Sequence, residues 1–315
     1  MSSIDVSAGV RQLQVTPQYH GQRIDNFLFR TLKGVPKSRI YRLLRRGEVR
    51  VNRGRVKADY RLQTGDTVRI PPIRTAAPDS PVVPPGIQAQ LEAAVLHEDR
   101  ELLVLNKPAG LAVHGGSGLA FGIIEALRAR RPEPAFLELV HRLDRDTSGC
   151  LLLAKTPETL RTLQQAFQSD AIEKHYLLLV RGQWNAGIRV VDAPLNVHQR
   201  RGGERQVTVD AAGKAARTRF QPVTLQARAS LLEATLYTGR THQIRVHAAS
   251  LGHPLAGDER YGDGDFNRWM AGRGLDRLFL HAHRLDFSLG HREYAFSAPL
   301  DDTLREVLER LQYPA

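Results

Sequence analysis

The chain has 315 residues, 42% of them apolar, and a formal net charge of +12, which is typical of a folded two-domain protein and not of a disordered chain. No apolar run is long enough for a membrane helix, and the polar N-terminus lacks the apolar core of a secretory signal. The one cysteine, Cys150, rules out an internal disulfide, so we expect a reduced, cytoplasmic protein with no membrane partner.

The positive charge is concentrated near the N-terminus. Residues 21–70 contain 14 Lys or Arg against 4 Asp or Glu, which leaves a net charge of only +2 for the other 265 residues. A basic module joined to a nearly neutral body is typical of a protein that binds a polyanion, and nucleic acid is the partner we expect. A solvated basic surface without a partner is the alternative.

Within this basic region, the segment SRIYRLLRRGEV predicts a helix. Ser38 is a suitable N-cap, and Gly47 is a suitable stop at the C-terminal end. The apolar residues of the helix share one face and its arginines share another. A short strand, a turn at residues 52–54 and the strand TGDTVRI follow it. A basic helix face of this kind is suited to phosphate contacts along structured RNA.

This region resembles the S4 RNA-binding domain. The segments GQRIDNFL, VPKSRIYRLLRRGEVRVNRGRVK and RLQTGDTVRI follow that pattern over about 55 residues. We assign residues 18–75 to the domain and residues 1–17 to an N-terminal extension. The resemblance implies an RNA-binding surface formed by Lys37, Arg39, Arg42, Arg45, Arg46 and Arg53. S4 domains accompany enzymes and ribosomal proteins alike, so this region alone leaves the function open.

A proline-rich stretch separates this module from the rest of the chain. Six prolines fall within residues 71–90, and we expect a semi-rigid linker at residues 76–90. In residues 91–315, helical spacing is present in GIIEALRAR, PETLRTLQQAFQ and IRVHAASLG. Strand-like runs are more numerous and include ELLVLNKP, HYLLLVRG, SLLEATLYTG and LHAHRLDFSL. This mixture predicts an α+β fold with a mainly antiparallel sheet.

The segment HRLDRDTSG carries two carboxylates, Asp144 and Asp146, directly before the apolar run CLLLA. Flanking arginines lower the pKa of a carboxylate, and an ionised carboxylate suits a nucleophile or a base. Asp146 precedes Thr-Ser-Gly, where an aspartate side chain caps a turn, which makes Asp144 the better candidate for chemistry. Ordinary ion pairing of both aspartates is the alternative that this spacing leaves open.

A second polar segment holds three histidines and two arginines between residues 240 and 253. His242 and His247 are five positions apart, so they do not share a helix face as in a zinc-binding helix, and we expect no metal there. A shell of hydrogen bonds is the interpretation we favour, with Arg240 or Arg245 available to hold a carboxylate or a phosphate.

Three weaker candidates lie elsewhere in the large domain. Tyr176 opens an apolar strand, where it packs in the core or stacks on a nucleobase. The loop LNKPAGLAVHGG, with Lys107 and His114, is typical of the lining of a cleft. VHGGSG lacks the Gly-Lys-Ser/Thr ending of a nucleotide-binding loop, so ATP use is not supported.

Six segments in order, NKPAGLAVH, HRLDRDTSG, KHYLLLVRG, GRTHQIRVH, LGHPLAGDERYG and LHAHRL, resemble the RluA family of pseudouridine synthases, over about residues 12–310. The resemblance implies an enzyme that isomerises specific uridines to pseudouridine in 23S ribosomal RNA, at more than one site. The target base is turned out of the RNA, and no cofactor is required. The expected substrate is free RNA or an assembly intermediate of the large subunit, and the expected oligomeric state is a monomer.

The same resemblance assigns roles to individual residues. Asp144 is similar to the family's nucleophile, and Tyr176 to the ring that stacks on the target base. Arg245 is similar to the arginine that pairs with the aspartate. The expected pocket for the base consists of Ile244, His141 and Arg142, the last of which would fill the gap left by the flipped uridine.

Two other functions compete with this one. A non-enzymatic S4-type assembly factor explains the basic module, but it does not explain the aspartate, tyrosine and arginine of the large domain. A hydrolase acting on a glycosidic bond would need a second carboxylate about 5–10 Å from the first, and only Asp146 is an obvious choice.

Overall fold

The computed structural model describes residues 9–32, 35–73, 83–115, 121–130, 136–169, 171–199 and 205–312, apart from the side chains of residues 199 and 205. The chain divides into two compact units, Met1–Val82 and Val83–Ala315. Within the described ranges, no helix combines the length and the apolar composition needed to cross a membrane.

The first unit contains a three-stranded antiparallel sheet and two helices that share one hydrophobic core. Its elements in chain order are β1 (Arg11–Gln14), α1 (Ile24–Thr31), α2 (Lys37–Arg46), β2 (Arg50–Val51) and β3 (Thr67–Ile70). β3 lies between β1 and β2. Ile24 of α1, Ile40 of α2 and Val68 of β3 are fully buried in this core, so sheet and helices stabilise each other.

Helix α2 is the predicted basic helix, and its two faces differ as predicted. Ile40, Leu43 and Leu44 are buried, and the helix ends at Gly47, whose φ of +69° is the left-handed conformation of a glycine stop. Ser38 is not the N-cap, because the helix begins a residue earlier and Pro36, with φ near that of a helix, occupies the cap position. Five of the six residues expected to bind RNA are exposed: Lys37, Arg42, Arg45, Arg46 and Arg53. The sixth, Arg39, is half-buried.

Two domain boundaries differ from those expected. The expected extension, residues 1–17, includes β1, which pairs along its whole length with β3, so the sheet begins before residue 18. The last part of the expected linker belongs to helix α3 (Pro85–Ala93), which buries Leu91. A proline in the first helical turn lacks only an N–H that has no partner there, so Pro85 starts a helix instead of preventing one. Residues 76–82 of the expected linker lie outside the described residues.

The remaining elements of the second unit are β4 (Val95–Glu98), β5 (Leu102–Lys107), α4 (Ile123–Ala129), β6 (Glu138–Leu139), β7 (Ser148–Ala154), α5 (Pro157–Gln168), β8 (Glu173–Arg181), β9 (Arg189–Asp192), β10 (Leu195–Gln199), β11 (Arg205–Val209), β12 (Arg217–Leu225), β13 (Ala229–Leu236), α6 (Gln243–Ser250), α7 (Gly264–Ala271), β14 (Leu280–Leu289), β15 (Arg292–Ser297) and α8 (Asp302–Arg310). Ten strands form one sheet in the order β4-β5-β7-β14-β8-β13-β12-β9, with β15 beside β14 and β6 beside β7. β10 and β11 form a separate hairpin.

Among the strand pairs of the described residues, only β7 and β14 run parallel. The predicted α+β fold with a mainly antiparallel sheet is therefore confirmed. The neighbouring strands β7, β14, β8 and β13 form the middle of the sheet, and each carries or adjoins one of the polar motifs of the sequence. Segments that are more than 100 residues apart in the chain thus meet at one edge of the core.

Gly149 makes the contact between β7 and β14 possible. Its φ is +107°, and a Cβ on this residue would lie 2.2 Å from the carbonyl oxygen of Ala282 on β14. Only glycine tolerates both the conformation and the close approach. The glycine of the motif HRLDRDTSG therefore brings the preceding loop next to β14.

Candidate active site

A small pocket lies where these central strands meet the start of α6. Its volume is about 120 Å³, and its lining residues include Arg142, Asp144, Tyr176, Leu236, Ile244, Arg245 and Leu280. This is well below the roughly 300 Å³ at which pockets for drug-sized ligands begin, so the pocket suits a small group such as one heterocyclic base. It shares Arg142, Asp144 and Arg245 with a much larger cleft of about 1560 Å³. The pocket therefore opens from a cleft that has room for a polymeric substrate.

Asp144 and Asp146 occupy different environments. The side chain of Asp144 is 27% exposed and lines both the pocket and the cleft, whereas that of Asp146 is 52% exposed and accepts a hydrogen bond from Nε of Arg145 at 3.2 Å. The side chain of Asp146 was expected to cap the turn, but it does not close it. A backbone bond from the N–H of Thr147 to the carbonyl oxygen of Asp144, at 3.2 Å, does so. Asp144 is the carboxylate that faces the pocket.

Lys107 holds the loop that carries Asp144. Its side chain is fully buried, and its ammonium donates to the carbonyl oxygens of Pro108 and Leu111 at 2.8 Å and of Arg145 at 2.9 Å. The N–H of Gly110 donates to the same Arg145 oxygen at 2.9 Å. Burial lowers the pKa of Lys107 to about 7, and nearby Arg277 acts in the same direction. The NKPAG segment lines the cleft, as predicted, and it also fixes the HRLD loop.

A second network, centred on Ser148, supports the C-terminal end of the HRLD loop. Ser148 accepts from Nη2 of Arg277 at 2.8 Å and lies 2.8 Å from Nδ1 of His281, whose Nε2 lies 2.9 Å from the carbonyl oxygen of Ala298. Because a carbonyl only accepts, Nε2 carries the proton and Nδ1 accepts from the serine hydroxyl. Burial lowers the pKa of His281 to about 4, so this imidazole is neutral. The motif LHAHRL therefore buttresses the loop from β14.

Arg245 does not make the expected direct pair with Asp144. Its guanidinium binds Asp258 bidentately, with Nε to Oδ2 and Nη2 to Oδ1 both at 2.7 Å. Asp258 also accepts from the backbone N–H groups of Arg260 and Tyr261, each at 2.9 Å. Burial alone would raise the pKa of Asp258, but the bonds and charge of Arg245 outweigh burial and hold it below its ordinary value.

The titratable group paired with Asp144 among the ion pairs of the described residues is the imidazole of His242, which is charged only when protonated. Its Nε2 lies 3.8 Å from Oδ2 of Asp144. The charge of Asp144 still reaches Arg245 at longer range, where it contributes, after Asp258, to raising the pKa of the arginine. Arg245 therefore meets the expectation that it holds a carboxylate bidentately, but the carboxylate belongs to Asp258 because LAGD folds against α6.

Tyr176 forms the floor of the pocket on β8. Its neighbours across the two adjoining strands are Ala234 and Ala282, whose small side chains leave the ring uncovered on the pocket side. Burial first, and the charge of Asp144 second, raise the pKa of the Tyr176 hydroxyl, which therefore stays protonated at neutral pH. Ile244, exposed by only 4%, adds an apolar wall beside it.

Two residues expected in the base pocket have different environments. Arg142 is exposed and lines both the pocket and the cleft, where it is free to reach an RNA substrate. His141 lines neither, and its placement in the base pocket is wrong. Its Nε2 accepts from the N–H of Leu152 at 3.0 Å, and its ring stacks on Phe167 of α5. Burial lowers the pKa of His141 to about 4, as suits a neutral structural acceptor.

The histidines of the second polar segment form a shell of hydrogen bonds. Nδ1 of His242 lies 2.8 Å from the hydroxyl of Tyr261, Nδ1 of His247 lies 2.9 Å from the hydroxyl of Thr218, and Nδ1 of His253 lies 2.8 Å from a carbonyl oxygen. Asp258 and Tyr261 were not singled out from the sequence. Their only signal is the segment LGHPLAGDERYG, in which an aspartate and a tyrosine follow the histidine segment closely.

The arrangement as a whole places a carboxylate in a small pocket that polar and apolar side chains line together and that opens into the cleft. A tyrosine ring and aliphatic side chains offer stacking and apolar contact to a planar base, while the carboxylate faces the cleft from which a nucleotide would enter. Such a site can attack an electrophilic carbon or remove a proton, and it can hold a small aromatic fragment while it does so.

Comparisons with known proteins agree with this chemistry. The sequence model of a family described as RNA pseudouridylate synthase matches residues 101–250, and that of the S4 domain matches residues 22–68. A human protein titled RNA pseudouridylate synthase domain containing 4 has a solved structure that aligns with a TM-score of 0.60 and 25% identity. That alignment covers 72% of this chain and 96% of that one.

Curated relatives are similar over nearly the whole chain. One from Haemophilus influenzae (strain ATCC 51907 / DSM 11121 / KW20 / Rd), named ribosomal large subunit pseudouridine synthase C, is 50% identical over 311 residues, which are 98% of this chain and 97% of that protein. One of the same name from Escherichia coli O157:H7 is 53% identical over 309 residues, which are 96% of this chain and 97% of that protein.

Proposed function

Because the chain belongs to the RNA pseudouridylate synthase family, we propose that it isomerises uridines to pseudouridine in the 23S ribosomal RNA of the large subunit, at more than one site. The resemblance carried by the sequence motifs is confirmed: the protein is an RNA pseudouridine synthase with an S4 domain. The alternative of a non-enzymatic assembly factor fails, since the named relatives are synthases over their whole length.

The observation that carries the proposed mechanism is the pocket in which Asp144 faces Tyr176 and Ile244. In the reaction, the bond from C1′ to N1 of uridine breaks, and a bond from C1′ to C5 forms. The proton on C5 is lost and N1 gains one, so the overall change is an isomerisation that needs neither an oxidant nor a group donor. The base must leave the RNA stack to reach the pocket, at a cost of a few kcal/mol.

Each residue has a role that its position supports. Ionised Asp144 attacks C1′ or removes a ribose proton, and either step frees uracil. The ring of Tyr176 and the side chain of Ile244 hold the detached base while it turns C5 towards C1′. The Tyr176 hydroxyl stays protonated at neutral pH, so it is not the base that accepts the proton lost from C5. Arg142, exposed at the rim, fills the space that the flipped nucleotide leaves. Arg245 positions the site through Asp258.

The first unit supplies the grip on RNA in this proposal. Phosphate contacts come from the basic surface formed by Lys37, Arg39, Arg42, Arg45, Arg46 and Arg53. Residues 21–70, which contain this surface, carry 14 Lys or Arg against 4 Asp or Glu, and such charge gives affinity without sequence preference. We place the activity in the cytoplasm and assign it to a monomer. The substrate is free RNA or an assembly intermediate.

Product analysis tests the reaction. Large-subunit ribosomal RNA is incubated with the protein, and its nucleosides are separated after digestion. Pseudouridine without free uracil is the expected result, because Asp146 pairs with Arg145 and does not line the pocket that contains Asp144. Free uracil would indicate a hydrolase. Mapping of pseudouridines in ribosomal RNA from cells with and without the gene then tests the target, and an unchanged large-subunit map would contradict it.

A further inference from the structure

His242 has a strained backbone beside the proposed nucleophile. It is the N-cap of α6, with φ of 54° and ψ of 21°, and its side chain makes no cap hydrogen bond. Left-handed conformations are uncommon outside glycine, although histidine adopts them more readily than most residues. Strain of this kind persists where the surroundings hold it in place, and it clusters at functional sites. The conformation directs the imidazole away from the helix and towards Asp144.

The imidazole lies between a hydroxyl and a carboxylate. Its Nδ1 is 2.8 Å from the hydroxyl oxygen of Tyr261, and its Nε2 is 3.8 Å from Oδ2 of Asp144. The same tyrosine oxygen accepts the backbone N–H of Val207 at 3.0 Å. In the part of the chain that the structure describes, His242 is the only side chain that offers a hydrogen-bond acceptor to the hydroxyl proton of Tyr261. Tyr261 therefore donates to Nδ1, and the imidazole carries its proton on Nε2.

We propose that His242 and Tyr261 are positioning residues for Asp144. Tyr261 fixes the tautomer in which the Nε2–H of His242 faces Oδ2 of the carboxylate across 3.8 Å, an electrostatic contact longer than a hydrogen bond, and leaves Oδ1 to the substrate. This inference rests on the proposed function, in which Asp144 reacts with uridine. A neutral imidazole N–H suits the task because it orients a carboxylate without giving up its proton.

The surroundings favour the neutral pair. Burial lowers the pKa of His242 more than the charge of Asp144 raises it. Arg245 and Arg260 also lower this pKa, and Asp258 raises it by less. Burial raises the pKa of Tyr261 and keeps its hydroxyl protonated. The ring of Tyr261 also lies under the guanidinium of Arg245, 5.1 Å from its central carbon. The tyrosine is thus held at its ring and backbone, and it meets His242 through an edge-to-face ring contact, with centroids 5.5 Å apart, and through its hydroxyl. Only the second of these contacts is lost when the hydroxyl is removed.

The hydrogen bonds extend to the hairpin of β10 and β11. Val207 lies on β11, and with Leu195 it packs against Val246 of α6. The N–H that fixes the Tyr261 hydroxyl therefore belongs to an element that must be seated on α6. A hairpin displaced from α6 would free the hydroxyl to accept from Nδ1–H, and the imidazole would then present a bare Nε2 to Asp144.

Tyr261→Phe tests the proposal because it removes the hydroxyl and keeps the ring beside Arg245. The probe is a large-subunit ribosomal RNA transcript with tritium at C5 of its uridines. We expect the single-turnover rate at saturating enzyme to fall about fivefold to tenfold, as for the loss of one hydrogen bond. The enzyme concentration that gives half of this rate should stay within twofold of the wild-type value. Tyr294→Phe is the matched control, because Tyr294 stacks on Phe287 outside both cavities, and its rate should be unchanged.

A double-mutant cycle separates positioning from general damage. His242→Phe should lose more rate than His242→Gln, whose amide N–H replaces Nε2–H. In the His242→Phe background, Tyr261→Phe should cost nothing further, because its effect passes through the imidazole. A wild-type rate in Tyr261→Phe, multiplicative losses in the double variant, or rate losses that follow the thermal unfolding midpoints would each overturn the proposal. Wild-type protein that binds the RNA and releases no tritium would instead contradict the proposed function.

Discussion

Removing the guanidinium of Arg245 isolates a buried carboxylate and gives the sharpest stability prediction. In Arg245→Met, Asp258 loses two hydrogen bonds of 2.7 Å and its ionic partner. Its side chain is fully buried, with 0% exposure, so water cannot replace the arginine. It keeps the two backbone donors of Arg260 and Tyr261 at 2.9 Å. The variant therefore retains a buried charge that is only partly solvated by the protein.

The magnitude follows from these interactions. Removing one member of a buried ion pair costs about 3–5 kcal/mol. The two remaining backbone bonds to the carboxylate stabilise it, so we expect a loss near the lower end, about 3 kcal/mol of unfolding free energy at pH 7.5. Domains have a total unfolding free energy of roughly 5–15 kcal/mol, so the variant stays folded at 25 °C and unfolds at a lower urea concentration.

The loss should depend on pH in a defined direction. In the wild type, the pKa of Asp258 is held below its ordinary value, so its contribution is present at neutral pH and disappears only in acid. Without Arg245, burial raises the pKa above the unfolded value, and protonation relieves the unpaired charge as pH falls. The difference between variant and wild type therefore shrinks from pH 7.5 to pH 5.

Urea unfolding followed by tryptophan fluorescence measures this effect, since Trp184 and Trp269 both lie in the second unit. Arg245→Met with Asp258→Leu serves as the paired control and should recover most of the loss, because no buried charge remains. Equal urea midpoints for Arg245→Met and wild type, or a double variant no more stable than the single one, would refute this reasoning.

Three further outcomes are expected. Lys107→Met removes the ammonium donor from three carbonyl oxygens, of which that of Arg145 keeps the N–H of Gly110, so unfolding free energy should fall by about 1–3 kcal/mol in urea titrations. The RNA modification rate should fall with it, and full activity would separate this lysine from the HRLD loop. Tyr176→Leu removes the stacking ring and should lower the single-turnover rate about 5- to 150-fold. Tyr176→Phe keeps the ring and should lower this rate by less. Equal losses in the two variants would show that the hydroxyl, and not the ring, carries the role of Tyr176. Deletion through residue 80 should weaken RNA binding in gel shifts. The slope of log K against log salt concentration should become shallower by roughly 0.7–0.9 for each phosphate that the shortened protein no longer neutralises. An unchanged slope would show that the basic surface does not bind the RNA.

Local patterns were sufficient to predict most of the catalytic scaffold. The apolar runs around Tyr176 and before Lys107 became β8 and β5, which both have neighbours on two sides, because a strand inside a sheet with covered faces reads as a continuous apolar segment. PETLRTLQQAFQ became α5 over the same twelve residues, since Thr156 caps it and Pro157 starts it. Asp144 lies in the pocket, but the turn argument that favoured it over Asp146 was wrong, because the backbone N–H of Thr147 closes the turn and the side chain of Asp146 does not.

Features that depend on distant packing were not predictable. Arg245 has acidic groups on two loops within reach, and only the folded chain determines that Asp258 makes the direct contact. His141 belongs to the same motif as Asp144, yet its ring turns towards Phe167 because α5 packs behind β7. The hairpin of β10 and β11 gave no signal, since its exposed valines, Val197 and Val209, alternate with polar residues as in many loops.

Tritium release from C5-labelled uridine in large-subunit ribosomal RNA tests the central claim that Asp144 carries out the reaction. The bond from C1′ to C5 forms only when C5 loses its hydrogen, so release reports the isomerisation itself. Asp146→Asn makes the same chemical change two residues away, on a side chain that points to solvent. We predict no release by Asp144→Asn, with RNA binding retained, and wild-type release by Asp146→Asn. Wild-type release by Asp144→Asn would contradict the claim.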